Sequence, residues 1–265
     1  MIPVKMKAIL SMSEPNRVNY LVLIGALCAS SALFAQTQKP TTSVSVPFVG
    51  CKSDGQVGPQ AAPTGTSKTV PIAPELARQL AYYQAQDGPG VLAPRGWNCF
   101  CTYGSNGSSL FIAPQLINSD VVLSDTWKGF NGPAVQISVS EGGTSGRFQV
   151  AEIIAKVFPA YRSFVSHVIA EGIEPASDFP SGPYPKDKLT YKSNKIVEYR
   201  TPPNSEGLGT RSKLQKTAGS ISGVAILEGV DTNLIQLSSR LPPNLASATP
   251  AIIQQVERDA AQPDR

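Results

Sequence analysis

WNCFCTYGSNGSSLFIA (residues 97–113) decides the fold class. Residues 97–104 and 108–113 are rich in strand-forming side chains, and Gly104, Ser105, Asn106 and Gly107 separate them. Asn106 and Gly107 tolerate the positive φ that a tight turn demands, so the stretch predicts a β-hairpin. Pro114 limits how far its ladder extends. Downstream, PAVQISVS (133–140) alternates, with Val135, Ile137 and Val139 on one side, and reads as a half-buried strand. EGGTSG (141–146) opens onto a helix over 147–158, whose apolar face is Phe148, Ala151, Ile154 and Val157 and whose breaker is Pro159. A second helix over about 160–171 aligns Tyr161, Phe164, Val165 and Val168 and ends near Gly172.

Residues 178–187 (DFPSGPYPKD) carry three prolines and mark a long loop or a boundary between subdomains. Strand patterns follow at 189–192, 195–201, 221–227 and 233–241. Thr249 reads as the N-cap of a last helix reaching about Ala260, with Pro250 in its first turn and Ile252, Ile253 and Val256 as its docking face. Upstream of the hairpin, residues 74–87 (PELARQLAYYQAQD) predict a helix: Pro74 and Glu75 suit its start, Gly88 its end, and Leu76, Leu80 and Tyr83 share a face. Residues 48–70 are rich in Gly, Pro, Ser and Thr and predict irregular chain pinned by Cys51, and residues 36–47 a flexible lead-in.

The later strands lie too close together for repeated βαβ crossovers. The expected fold is therefore α+β: an antiparallel sheet covered by helices, with an N-terminal β-hairpin and a C-terminal docking helix. Residues 48–262 form either one domain or two subdomains meeting near 178–187.

The chain has 265 residues, 41% of them hydrophobic, and a formal net charge of only +4, which excludes an intrinsically disordered class. Lys5, Lys7 and Arg17 precede an apolar run from Leu21 to Ala35 that ends among small residues. That pattern predicts a signal peptide over residues 1–35, and at about 15 residues the run is short for a bilayer span of roughly 20. Cys28 follows Leu27, not the small residue a lipoprotein signal wants. The expected destination is the periplasm or the extracellular space, with no transmembrane segment once the leader is removed. Lys5, Lys7, Arg17 and Glu14 leave with the leader, which lowers the net charge to +2.

Three cysteines then remain. An oxidising compartment favours pairing. Cys99 and Cys101 stand at i and i+2 of one strand and share a face, too far apart to join each other without strain. Cys51 is therefore expected to pair with Cys99 or with Cys101, leaving one thiol that is either a buried apolar filler or a reactive group. Three cysteines and one remote histidine match no zinc spacing, and the sequence carries no cofactor motif, so neither is expected.

Four groups of residues are candidates for function. Gly143, Thr144, Ser145, Gly146 and Arg147 form a Gly-rich loop before a helix, an outline that suits an anion through exposed backbone N–H groups; an ordinary capped turn explains it equally. His167 projects to the solvent side of the second helix, one turn from Glu171, a pairing that suits a surface histidine better than a general base. Glu171 and Glu174 are paired carboxylates of the kind glycoside hydrolysis uses, although Trp97 and Trp127 are the only tryptophans from which to build a sugar platform.

The strongest signal is charge segregation. Residues 186–216 hold eight basic side chains against three acidic ones, a net of +5, which leaves the rest of the mature chain at −3. Lys188 and Lys192 share one side of their strand, and Arg211 and Lys213 follow. A basic strand face suits an anionic envelope polymer, a lipid head group or another extracellular anion, while export disfavours nucleic acid. The leading expectation is a secreted, non-catalytic protein that binds an anionic ligand through Lys188, Lys192, Arg211 and Lys213. The alternative is an extracytoplasmic hydrolase using Glu171, Glu174 or the spare thiol of Cys101.

Overall fold

The computed structural model describes residues 43–262. The signal peptide expected over residues 1–35, with Cys28, and the first part of the expected lead-in, residues 36–42, lie outside the described residues. The chain is mixed α and β, built on two largely antiparallel sheets.

The larger sheet has eight strands. In spatial order they are β2 (Ser53–Gly55), β6 (Asn98–Gly104), β7 (Gly107–Ala113), β8 (Ala134–Ser140), β12 (Asn233–Arg240), β11 (Ile221–Glu228), β10 (Ile196–Thr201) and β9 (Lys188–Tyr191). Every pairing is antiparallel except β2 with β6. The smaller sheet runs β3 (Ser67–Pro71), β1 (Ser43–Gly50), β4 (Leu80–Gln84) and β5 (Val91–Pro94), with β1 and β4 parallel. The helices are α1 (Pro74–Ala77), α2 (Ser119–Val122), α3 (Arg147–Val157), α4 (Arg162–Ala170) and α5 (Thr249–Ala260).

β6 and β7 pair around a two-residue turn, Ser105–Asn106, flanked by the pair Gly104 and Gly107. This hairpin lies inside the large sheet and is not N-terminal in it. Only Gly107 takes positive φ (125°); Asn106 does not, contrary to the sequence reading. Gly107 is needed for closeness too, because a Cβ there would lie 2.0 Å from the Val139 carbonyl of β8.

The first third of the chain departs most from expectation. The lead-in and the Gly/Pro-rich segment contain β1, β2 and β3, and the expected helix over 74–87 stops after Ala77. Leu80, Ala81, Tyr82 and Tyr83 instead enter β4 between β1 and β5, buried on both faces. Aromatic residues in a run with no polar side suit a central strand, and burial overrode the i, i+3, i+4 pattern. The Tyr83 hydroxyl then donates to the Pro94 carbonyl (2.7 Å) and accepts from the Trp97 amide (3.1 Å), fastening this sheet to the start of β6.

Alternation divides the large sheet into two unlike faces. Leu110, Ile112, Val135, Ile137, Val224, Ile226, Ile235 and Leu237 point toward the small sheet and α5, and with them form the main core. α5 contributes Ile252, Ile253 and Val256 to it. Its N-cap is Ala248 without a side-chain bond, and Thr249 lies within the first turn, one position later than the sequence suggested. On the opposite face two smaller clusters sit apart. α3 and α4 cover Val197, Tyr199, Ala225, Leu227 and Leu234. Ile117, Phe130 and Leu214 cover Phe100, Phe111, Ala113, Ala134 and Ile221. β8 is therefore mostly buried on both faces, not half-buried as its alternation implied. Phe179, within the proline-rich stretch 178–187, packs into the α3–α4 cluster.

Candidate ligand-binding groove

Between the two smaller clusters the sheet carries no apolar side chains to cover. β8 and β12 pair so that Gln136 stands opposite Ser238 and Ser138 opposite Gln236, with Ser140 next to them. β7 adds Ser109 and β6 adds Thr102, which are themselves opposite one another. These residues floor a groove of about 480 Å³ whose walls are Gln149 and Glu152 of α3, the turn at 210–213, and the β6–β7 hairpin. That volume falls in the roughly 300–1,000 Å³ range of small-molecule sites.

The walls are held by specific bonds. The Asp187 carboxylate accepts from the Leu208 amide and from the Thr201 hydroxyl, both at 2.7 Å, and so anchors the 3-10 turn Leu208–Arg211 to the sheet. Gln236 donates to the Leu208 carbonyl at 3.0 Å, and the Gln136 side-chain oxygen accepts from the Lys213 amide at 2.7 Å. Two amides of the groove floor thus fix the backbone that presents Arg211 and Lys213. Arg211 pairs with Glu152 at 2.6 Å, closing one wall onto α3. Ser140 donates to Gln149 at 3.0 Å.

Beyond Lys213 the chain binds a second loop. The Phe130 amide donates to the Lys213 carbonyl (2.7 Å), and the Gln215 amide to the Phe130 carbonyl (2.9 Å). Arg240, buried at the end of β12, donates to the carbonyls of Gly132, Gln215 and Phe130 and to the Thr217 hydroxyl. This lattice places Trp127 against Phe111 and Phe130 in edge-to-face contact, with ring centroids 5.5 and 5.3 Å away. The Lys213 ammonium lies 5.7 Å from the Trp127 ring centroid.

Much of the polar lining is unengaged. The hydroxyls of Thr102 and Ser109, the amide nitrogens of Gln136 and Gln149, and the Lys213 ammonium make no hydrogen bond to another described residue. A strand centre roofed by a helix is ordinarily filled with apolar side chains, because buried polar groups without partners are costly. Here Gln136, Ser140 and Gln236 are only 6–7% exposed, and the remaining donors and acceptors open into the groove.

The four basic residues singled out in the sequence are not brought together. Arg211 and Lys213 line this groove, whereas Lys188 and Lys192 line a cleft of about 340 Å³ between β9, β10 and α5. The two pairs lie on opposite faces of the large sheet: Lys188 stands beside Arg200 and Ser222 on the α5 side, while the turn carrying Arg211 packs on Thr201 and Ile221. Lys192 pairs with Glu198 at 3.0 Å. Glu198 in turn neighbours Glu257 of α5, whose carboxyl is raised above its ordinary value by burial first and by the Glu198 charge second.

In the Gly-rich loop, Gly143, Thr144, Ser145 and Gly146 spend much of their hydrogen-bonding capacity on the loop itself. The Thr144 amide donates to the Glu141 carbonyl, the Gly146 amide to the Thr144 hydroxyl, and the Arg147 amide to the Thr144 carbonyl. The α3 N-cap is Gly146, and among the described residues no side chain caps the helix. Arg147 pairs with Glu171 at 2.7 Å, so Glu171 is engaged there and not with His167, which is exposed on α4. Neither Glu171 nor Glu174 lines the groove.

Cys51 and Cys99 form the disulfide. Cys101 is free and buried, its thiol pushed up to about 12 by burial first, with the Asp87 charge adding to the shift. A protonated, enclosed thiol is a poor nucleophile. Among the described residues no group of three or more His, Cys, Asp or Glu side chains could hold a metal ion, and no helix is long and apolar enough to cross a membrane.

The sequence reading missed the groove floor. Its signal was present in two strands, AVQISVS and NLIQLSSR, that each alternate apolar residues with Gln and Ser. Comparison with protein-family models, with curated proteins and with solved structures finds no match.

Proposed function

We propose that this chain is an exported, non-catalytic binding protein that holds a small, polar, negatively charged ligand in the groove of the eight-stranded sheet. One observation carries the reading. The hydroxyls of Thr102 on β6 and Ser109 on β7 and the amide nitrogen of Gln136 on β8 face a cavity walled by a fixed cation-bearing turn, and make no hydrogen bond to another described residue. Such convergence of unpaired donors and acceptors is what a ligand site requires and what a packed core avoids. Lys213 supplies the anionic preference, since Arg211 is paired with Glu152; Lys188 and Lys192, on the other face, take no part. The groove is lined by a single carboxylate, Glu152, already tied to Arg211, whereas carboxylate-based hydrolysis needs two acting together. The apolar leader at 1–35 and the Cys51–Cys99 disulfide support export.

The test is protein-observed NMR of the mature chain against a panel of mono- and disaccharides, amino acids and dicarboxylates. The expected result is shifts confined to Thr102, Ser109, Gln136, Gln149 and Lys213, with the bound compound recovered unchanged. Shifts absent throughout the panel, or confined to the Lys188–α5 cleft, overturn the reading, as does chemical conversion of the ligand.

A further inference from the structure

An indole stands beside the groove. Trp127 is partly exposed and touches two residues that line the groove, Phe111 and Lys213, though it does not line the cavity itself. A flat apolar ring therefore stands next to a floor of hydroxyls and amides. A pyranose has the matching pair of surfaces: hydroxyls at its edge, and a face of C–H groups that stacks on an aromatic ring. A peptide would ask for a free strand edge, but the floor strands β7, β8 and β12 are paired on both sides.

Charge narrows the choice. Glu152 and Arg211 neutralise each other, whereas Lys213 lies over the Trp127 ring with no carboxylate partner among the described residues. The groove thus carries one uncompensated positive charge, placed where floor and indole meet. One carboxylate per bound ligand, carried on a sugar, balances it; a nucleotide's phosphates would bring several charges to one cation.

We infer that the groove takes an acidic saccharide of the uronic-acid class, with its hydroxyls on the Ser109–Gln136–Gln149 floor, its carboxylate on Lys213 and a sugar face on Trp127. This rests on the groove being the binding site, as proposed above. Binding draws the Lys213 ammonium from the indole to the ligand carboxylate, so Trp127 reports occupancy.

Titration of Trp97→Phe protein, in which Trp127 is the remaining tryptophan, tests this with cellobiouronate, a disaccharide bearing one carboxylate, and with neutral cellobiose. Cellobiouronate is expected to shift the emission, to weaken as salt rises, and to bind at least tenfold tighter than cellobiose. Lys213→Gln, an exposed position, should remove about that tenfold margin and leave cellobiose unaffected. If the two sugars bind this groove alike and Lys213→Gln changes neither, the acidic class is wrong and the groove reading stands. If neither sugar binds but another compound of the NMR panel occupies the groove, the saccharide inference alone fails. If nothing in either experiment enters the groove, both fail.

Discussion

Along β8, residues 135, 137 and 139 alternate with residues 136, 138 and 140, and the two sets meet opposite fates. The odd-numbered side carries Val135 and Ile137 into the main core, sealed by the small sheet and α5. The even-numbered side carries Gln136, Ser138 and Ser140 beneath α3 and the 210–213 turn, where a cavity remains. Both sides are enclosed, so burial alone does not distinguish them. What differs is whether the covering layer touches the sheet or spans it. Apolar contact supplies the stability of the first side; the second, held apart by Asp187, Gln136 and Gln236 bonds, supplies room.

The largest effect should come from the sealed side. Replacing Cys51 and Cys99 by Ala opens a loop of sequence separation 48, and chain entropy assigns that cross-link about 4 kcal/mol. Denaturant titration should show that loss while groove binding persists under native conditions; a loss of binding with the fold intact would mean that the two sides are coupled. Next, Ile137→Ala should cost about 3 kcal/mol through lost burial and a residual cavity, whereas Ser109→Ala, on the open side, should stay within about 0.5 kcal/mol. Comparable losses at both positions would erase the distinction drawn between the faces.

The smallest effect concerns the margin of the sealed side, where α5 meets β10. Glu257 holds its proton more tightly in the folded state than in the unfolded chain, despite the nearby Lys192 and Arg258 charges. Stability therefore falls as pH rises from the ordinary glutamate range through the raised value, and the cost is fully present above it. Glu257→Gln should raise the Tm at about pH 7.5, with a gain that fades toward about pH 4. A gain independent of pH would assign the effect to packing.

Strand and helix positions from residue 97 onward were legible because short-range signals agreed with the tertiary outcome: Gly107 at the hairpin, Pro159 between α3 and α4, alternation in β8 and β12. The Leu80–Tyr83 strand was not legible, since an apolar run fits either period and its neighbours β1 and β5 are chosen by long-range pairing. The groove was half legible. Alternation identifies a polar side of β8 and β12, but reads it as facing solvent, because nothing local announces that α3 and the 210–213 turn will roof it. The basic residues illustrate the converse. Lys188 and Arg211 are near in sequence and share a charge, yet the intervening strand β10 delivers them to opposite faces.

The position of β12 has a consequence for how this polypeptide is made. Among the described residues it is the last strand in sequence, yet it sits at the middle of the large sheet, bonded to β8 on one side and β11 on the other. During vectorial synthesis the β2–β6–β7–β8 block and the β9–β10–β11 block emerge without any shared backbone ladder, and only residues 233–240 zip them together. A nascent chain that stops before residue 233 has an open seam at β8, so the large sheet cannot close until residues 233–240 have emerged.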